Sequence, residues 1–561
     1  MALLRLLDCF LRNSTTTQVA RLCINNFNLW SDRMRGAELV VNTLRNANVK
    51  HIFALSGNQI MPIFDACIDA GIAIYHVRHE AAAAYMADAY AQLTGEIGVA
   101  LVTAGPGFAN SLSPLYSAKL AESPVLLLSG DSPRAADGKN AFQELDQVSA
   151  SSPVTKYSCR SKGVDTLSKE IANCIRIAKS ERPGPVHLAL PFDNLTNLAT
   201  KPIKASQGAF IPICEKPSLE IINTIVHAIK NAVTPMILTG PMLNHSRTGN
   251  LHDILSEALD APTINMESPR GVKDPSLGKF ASTLVKSDLI LLIGKRLDFT
   301  LGNGQPPIFS PKCHFIIADP DQKELQKAEE MLGNKIYAAF VANSTALAKS
   351  LCQTKSSTDR KAWRKEVNAA IAYRPASRNT TEGIHPAVVG ETIQTILDGV
   401  NDPILIVDGG EFGQWAQATI HCPTRVINGP SGAIGGGLCY AFAAKIARPE
   451  STVIALMGDG TVGFHFAEFE TASRYGADFI AIIGNDARWN AEYQIQLRDY
   501  GSRRAYGCDL RPTPYDQAAI GLGCHGALIK NSTDLKHALE NALTSGMPAC
   551  LNIIIEGLPA P

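Results

Sequence analysis

The sequence predicts an α/β protein made of three doubly wound parallel-sheet domains. Three observations carry that prediction. The chain has 561 residues, several times the length of one ordinary domain. Short, wholly apolar runs recur along it, and longer helical stretches separate them. Most runs end in glycine, proline or a polar turn, as strands buried on both faces of a parallel sheet do.

Taken in order, residues 1–33 stand apart. An apolar stretch from Leu3 to Leu11 is broken by Arg5 and Asp8, and Ser14-Thr15-Thr16-Thr17 follows with Arg12, Arg21 and Arg33. This fits either an organelle transit peptide, against which Asp8 and Asp32 count, or a disordered extension. The first domain, residues 34–200, takes strands from His51 to Leu55, Ile72 to Val77, Val99 to Val102 and Val125 to Leu128. The middle domain, residues 215–355, takes Pro235 to Leu238, Leu289 to Ile293 and Phe315 to Ile317, and closes in the charged stretch Lys355 to Lys365. The third, residues 380–561, takes Ile404 to Val407, Val453 to Met457, Phe479 to Ile483 and Cys550 to Ile555. The first and third domains are compatible with a distant structural pair.

Composition narrows the function classes. With 45% hydrophobic and 19% charged residues, the chain reads as a soluble globular protein, neither fibrous nor disordered. Fifty-two basic and 52 acidic side chains leave no net charge to gather nucleic acid or an anionic membrane. No run reaches the roughly 18 apolar residues that a spanning helix needs. The 13 cysteines are scattered without a CxxC pair, which predicts reduced thiols in the cytoplasm, or in an organelle matrix if the leader is a transit peptide. A small-molecule enzyme is the default.

Three segments of the third domain carry chemistry. Asp408-Gly409-Gly410-Glu411-Phe412-Gly413 follows a strand, Asn428 to Gly437 is glycine-rich and precedes a helix, and Met457-Gly458-Asp459-Gly460-Thr461 follows another strand. Glycines at such turns let backbone amides approach a diphosphate. Asp486 lies 27 residues after Asp459, in Gly484-Asn485-Asp486-Ala487-Arg488, at the next strand end. Oxygen ligands from Asp459, from Asp486 or Asn485, and from a nearby carbonyl suit Mg²⁺ completed by phosphates.

These segments resemble the thiamine diphosphate enzymes related to the large subunit of acetolactate synthase, including oxalyl-CoA decarboxylase and 2-hydroxyacyl-CoA lyase. That family's motif runs from GDG to two asparagines, matched here by Gly458-Asp459-Gly460 and Asn485-Asp486, with a departure at the second position. Aligned without a gap, Asp486 takes the metal-binding place and the Arg488 carbonyl supplies the backbone ligand; with a one-residue deletion, Asn485 takes that role. Val77-Arg78-His79-Glu80 matches the family's RHE triplet, which implies Glu80 as the catalytic carboxyl beside the aminopyrimidine ring. Thr103 to Asn110 resembles the glycine-proline-glycine loop, and Ala141-Phe142-Gln143-Glu144 implies Phe142 and Gln143 on the substrate side.

The resemblance further implies cofactor contacts from Gly410, Glu411, Phe412, Gly413, Gly432, Ala433, Ile434, Gly458, Gly460 and Thr461. By the same resemblance Ile434 stands where the family has a bulky apolar side chain that bends the cofactor, and Gly432 is expected to offer its carbonyl to the amino group. Relatives are homodimers or homotetramers in which one subunit's glutamate meets the diphosphate domain of another. Their middle domains bind FAD, an ADP or CoA moiety, or nothing, and here Gly294 to Asp298 and Ala318 to Asp321 stand at strand ends. The implied reaction is decarboxylation of a 2-oxo acid, with carboligation or protonation. The alternative is cleavage of an acyl-CoA, as by 2-hydroxyacyl-CoA lyase or oxalyl-CoA decarboxylase. A non-catalytic scaffold is the other class, and the intact Glu80 stands against it. Trp489 to Gln496 lacks the tryptophan, expected near Ile495 or Gln496, that narrows the acceptor pocket of acetolactate synthases.

Overall fold

Burying a row of Val, Ile and Leu on both sides of a strand requires helices on both faces, and three all-parallel sheets result. The computed structural model describes residues 34–355, 358–374 and 383–561. The leader, with its transit-peptide reading, lies outside them. The first sheet holds β1 (His51–Ala54), β2 (Ala73–His76), β3 (Gly98–Val102), β4 (Val125–Asp131), β5 (Tyr157–Arg160) and β6 (Val186–Pro191), in the order β2-β1-β3-β4-β6-β5. The middle sheet holds β7 (Pro235–Thr239), β8 (Thr263–Asn265), β9 (Leu289–Ile293), β10 (His314–Asp319) and β11 (Ile336–Val341), ordered β11-β10-β9-β7-β8. The third holds β12 (Pro403–Val407), β13 (Arg425–Ile427), β14 (Thr452–Gly458), β15 (Ile480–Asn485), β16 (His525–Ile529) and β17 (Ala549–Ile554), ordered β13-β12-β14-β15-β17-β16. Counted from its own first strand, the third sheet repeats the order of the first.

The first and third domains share one core. The helix Glu80–Thr94 buries Ala81, Ala82, Ala83, Ala84 and Ala87, and the helix Gly437–Ala447 buries Ala441, Ala443 and Ala444 in the same apolar cluster. Small side chains let two helices approach closely, and depth of contact replaces side-chain volume. At their crossing the Tyr440 hydroxyl donates to the fully buried Asp88 at 3.3 Å.

The polar stretch after Lys355 corrects one sequence expectation, since the middle unit does not close at 355. The helix Lys361–Ala372 places Trp363 and Val367 in the middle core, and the Trp363 indole donates to the Pro235 carbonyl at 2.9 Å. Arg360 caps the helix Leu219–Asn231 by donating to the carbonyls of Ile229 and Ala232. Charge in this segment therefore marks a solvated helix face and a cap, and not a linker. Among the described residues no helix is long and apolar enough to cross a membrane.

Candidate active site

The third domain concentrates the glycine-rich segments at the carboxyl ends of β12, β14 and β15, where α/β sheets bind ligands. β12 runs into buried Asp408, whose carboxylate accepts from the amides of Gly409 (2.6 Å), Gly435 (3.0 Å) and Gly437 (3.0 Å). One side chain thus pins the turn 435–437 against the strand end. Burial pushes the Asp408 carboxyl up to about 6, and the three N–H donors pull it back toward ionisation. The sequence places Asp408 at the head of a glycine-rich segment without showing this anchoring role.

Ile434 packs on Gly409 so closely that a Cβ there would lie 2.5 Å from its Cγ2. Gly410, at φ +90°, starts the helix Glu411–Thr419. A cavity of about 340 Å³ opens beside them, walled by Gly410, Gly432, Ile434, Thr461, Trp489 and Glu492. Gln417 lines it as well; its buried Oε1 finds no partner among the described residues. Trp489 was also not singled out. Its ring fills the space over Gly460, where a Cβ would lie 2.7 Å from it.

A narrower cleft follows, lined by Glu411, Gly458, Asp459, Gly460, Asp486 and Arg488. β14 and β15 pair Gly458 with Gly484, and just beyond these strand ends Asp459 and Asp486 both line the cleft. Asp459 accepts from the Arg488 amide at 3.2 Å, and the Tyr515 hydroxyl donates to its carbonyl at 2.8 Å. Burial pushes Asp459 up to about 6. Burial, and then the charge on Asp459, pushes Asp486 up to about 7. Asn485 turns the other way: its amide donates to the Thr513 carbonyl and Asn552 Oδ1, and its Oδ1 accepts from the Ala487 amide. Phe412 stacks under Gly484, leaving no room for a Cβ. Gly413 packs on the Asp408 carbonyl and Ala433 accepts from Asn428 Nδ2, so both shape the loops without lining either cavity.

Two crowded carboxylates held partly neutral by burial suit a cation, and the oxygen-only donor set suits Mg²⁺. No group of three His, Cys, Asp or Glu among the described residues is placed to hold a metal. Further positions in such a site fall to a main-chain carbonyl, phosphate and water. The residues present therefore fit a metal that arrives with a diphosphate.

Glu80 belongs to a second cluster. It begins the helix Glu80–Thr94, and Asn110 Nδ2 donates to its Oε2 at 2.9 Å. Gly107 lies against it, 3.3 Å from Oε1 to where a Cβ would stand. Gln59, not foreseen from the sequence, accepts from Thr103 Oγ1 and donates to Gln143 Oε1 at 2.9 Å. Gln143 adopts φ +61°, and Phe142 beside it is 72% exposed. The residues lining the two third-domain cavities come from that domain and from Pro269 and Arg270 of the middle one. Glu80 is not among the residues that line either cavity.

The middle-domain candidates are engaged in caps and ion pairs. Lys295 reaches the Arg296 carbonyl and Asp298, Asp298 caps Thr300, and Asp319 pairs with Arg182 of the first domain. A larger cavity of about 880 Å³, lined by Arg270, Val272, Phe299, Ile308, Ile495 and Arg498, shares Arg270, Gln414 and Ala491 with the 340 Å³ one.

Comparison with known proteins agrees with this architecture. Residues 34–150 match the thiamine pyrophosphate enzyme N-terminal TPP binding domain, 222–339 the central domain and 408–553 the C-terminal TPP binding domain. The acetolactate synthase large subunit IlvG of Mycobacterium tuberculosis is 28% identical over 93% of this chain and 96% of its own. The 2-hydroxyacyl-CoA lyase 2 of Danio rerio is 30% identical over 93% and 91%. The solved thiamine diphosphate-dependent 4-hydroxybenzoylformate decarboxylase of Rhodococcus jostii RHA1 shares the fold, with a TM-score of 0.80 at 21% identity over 93% of this chain and 99% of its own. Domain models for both binding modules, in the order in which the chain builds its two half-sites, leave one conclusion: this chain belongs to the thiamine pyrophosphate enzyme family.

Proposed function

We propose that the protein cleaves a carbon–carbon bond next to a carbonyl or hydroxyl carbon, with thiamine diphosphate and Mg²⁺, and releases or transfers the resulting fragment. The observation that carries the reading is that Asp459 and Asp486 line one cleft beside the Ile434 cavity. When bound, the cofactor supplies an electron sink that stabilises the carbanion left by cleavage. Asp459, Asp486 and the Arg488 carbonyl hold the metal in this reading. Gly410 and Thr461 border the diphosphate, while Ile434 and Gly432 face the ring end. Glu80, kept in place by Asn110, holds the proton exchanged with the aminopyrimidine. Phe142 and Gln143 border the substrate.

Because Glu80 lines neither cavity, the reading requires a second copy whose Glu80 closes the site, in a homodimer or homotetramer. Light scattering tests this, and an active monomer would overturn it.

The cavity of about 880 Å³ favours an extended substrate, of the 2-hydroxyacyl thioester kind, over a compact 2-oxo acid. Ile495 lines it, one of the two positions, with Gln496, near which the resemblance to acetolactate synthases led a tryptophan to be expected. The deciding assay offers purified protein, thiamine diphosphate and Mg²⁺ in turn pyruvate, 2-oxo-octanoate and 2-hydroxyoctanoyl-CoA. Turnover of a long substrate in preference to pyruvate is the expected outcome. Turnover of none would overturn the reading.

A further inference from the structure

We propose that Gln417 is a specificity-determining residue whose side-chain oxygen accepts a hydrogen bond from a substrate hydroxyl next to the carbon–carbon bond to be cleaved, an assignment that rests on the functional reading above. Gln417 lies in the helix Glu411–Thr419, is 5% exposed and lines the Ile434 cavity. Its Oε1 is buried and makes no hydrogen bond among the described residues. A buried acceptor without a partner costs stability, and a ligand that brings a donor removes that cost.

The helix sets the position. Its first turn meets the Asp459 cleft through Glu411 and Phe412. Gln417 stands almost two turns beyond Glu411, about 9 Å further along the axis, and so away from the diphosphate end. Gln414, one turn earlier on the same face, lines both cavities, whereas Gln417 lines only the smaller one. A substrate chain lying in the larger cavity and reaching inward past Gln414 brings its head group to Gln417.

Other polar side chains of this wall are already engaged. Asp408 is held by three glycine amides. The Asn428 amide donates to the Ala433 carbonyl at 3.0 Å, the Thr461 hydroxyl to the Gly458 carbonyl at 3.1 Å and the Gln414 amide to Glu411 at 3.0 Å. A 2-oxo group and a carboxylate are acceptors only and have nothing to give to Oε1, while a hydroxyl is a donor. The unpaired oxygen therefore selects for a 2-hydroxyacyl compound over its 2-oxo or deoxy counterpart.

The test compares the parent holoenzyme with Gln417→Met, whose side chain has nearly the same length and no amide, and with Gln417→Leu. Three quantities are read: KM and kcat for 2-hydroxyoctanoyl-CoA, the inhibition constant of octanoyl-CoA, which differs only in lacking the hydroxyl, and the denaturation midpoint of the unloaded proteins. In both variants we expect kcat/KM for the hydroxy compound lowered by about tenfold or more, the octanoyl-CoA constant within about threefold of the parent's, and a midpoint no lower than the parent's, since an unpaired buried acceptor is removed. Unchanged kcat/KM, equal losses for the hydroxy and deoxy compounds, a lowered midpoint in both variants, or failure of both to fold would overturn the assignment. If only one variant folds, its readings decide. A parent that turns over pyruvate or 2-oxo-octanoate and not 2-hydroxyoctanoyl-CoA overturns it too, and leaves the functional reading standing. A parent inert toward all three overturns the functional reading itself, and is told apart because no variant is involved.

Discussion

Asp459 and Asp486 emerge from neighbouring parallel strands, just beyond the paired glycines Gly458 and Gly484, and the charge on Asp459 adds to burial in holding Asp486 up at about 7. Both carboxyls sit above their ordinary value of 3.8. In the unloaded protein their ionisation opposes folding, so stability declines as pH rises from about 4 toward 7.

Cation binding has the opposite pH dependence, because the metal competes with protons for the same oxygens. Mg²⁺-dependent binding of thiamine diphosphate should weaken by at least about tenfold between pH 8 and pH 5, and Asp459→Ala should weaken it at every pH. Calorimetry at the two pH values checks both expectations. Equal affinity at pH 8 and pH 5 would count against the metal assignment.

Glu80→Gln should lower turnover by about 10²–10⁴-fold while leaving cofactor affinity nearly intact, because the amide keeps the shape facing Asn110 and loses the proton. Measuring hydrogen exchange at the reactive carbon of bound cofactor checks this without any substrate. Exchange as fast as in the parent would remove Glu80 from the role.

His187 is a separate titration within the first domain. Its ring is fully buried against Phe108 and lies 2.8 Å from Ser129 Oγ and 3.0 Å from both Ser151 Oγ and Ser158 Oγ. Burial lowers it from the ordinary 6.5 to about 3. Between those values the unfolded chain binds the extra proton, so stability falls as pH drops through that window. Asp459 and Asp486 act in the opposite sense over the same range, so the comparison with His187→Asn isolates the effect: from pH 7 to pH 4 the parent should lose stability relative to the variant, read as the difference between their denaturation midpoints.

The middle and third domains are joined by Glu267 and Arg425, 2.8 Å apart and buried, with Asn244 donating to the other Glu267 oxygen. Glu267→Ala strands a buried guanidinium and should destabilise the protein by about 3–5 kcal/mol. Replacing both residues with apolar ones should recover most of that loss. Urea unfolding of the two variants measures the difference.

All eleven strands read from apolar runs are present, and five of the six others share a physical cause. β5, β8, β11, β13 and β16 lie at sheet edges, where one side meets solvent and polar residues are tolerated, as in Tyr157-Ser158-Cys159-Arg160. β6 is central, but His187 interrupts its apolar run, and only the surrounding serines make a buried histidine acceptable. The glycine segments at strand ends were legible as turns because a positive φ or a close packing contact restricts residue type locally. Gln59 and Asp408 were not, since each acquires its meaning from partners elsewhere in the chain.

By itself the sequence determined the parallel α/β architecture and the order of the glycine loops, both consequences of local residue type and spacing. Only the tertiary structure decided which side chain at 485–486 faces the cleft: β15 ends at Asn485 paired with Ile554, and side chains alternate along a strand. Asn485 is thereby sent to Asn552 and Thr513 while Asp486 meets Asp459, and a shift of one residue would exchange them.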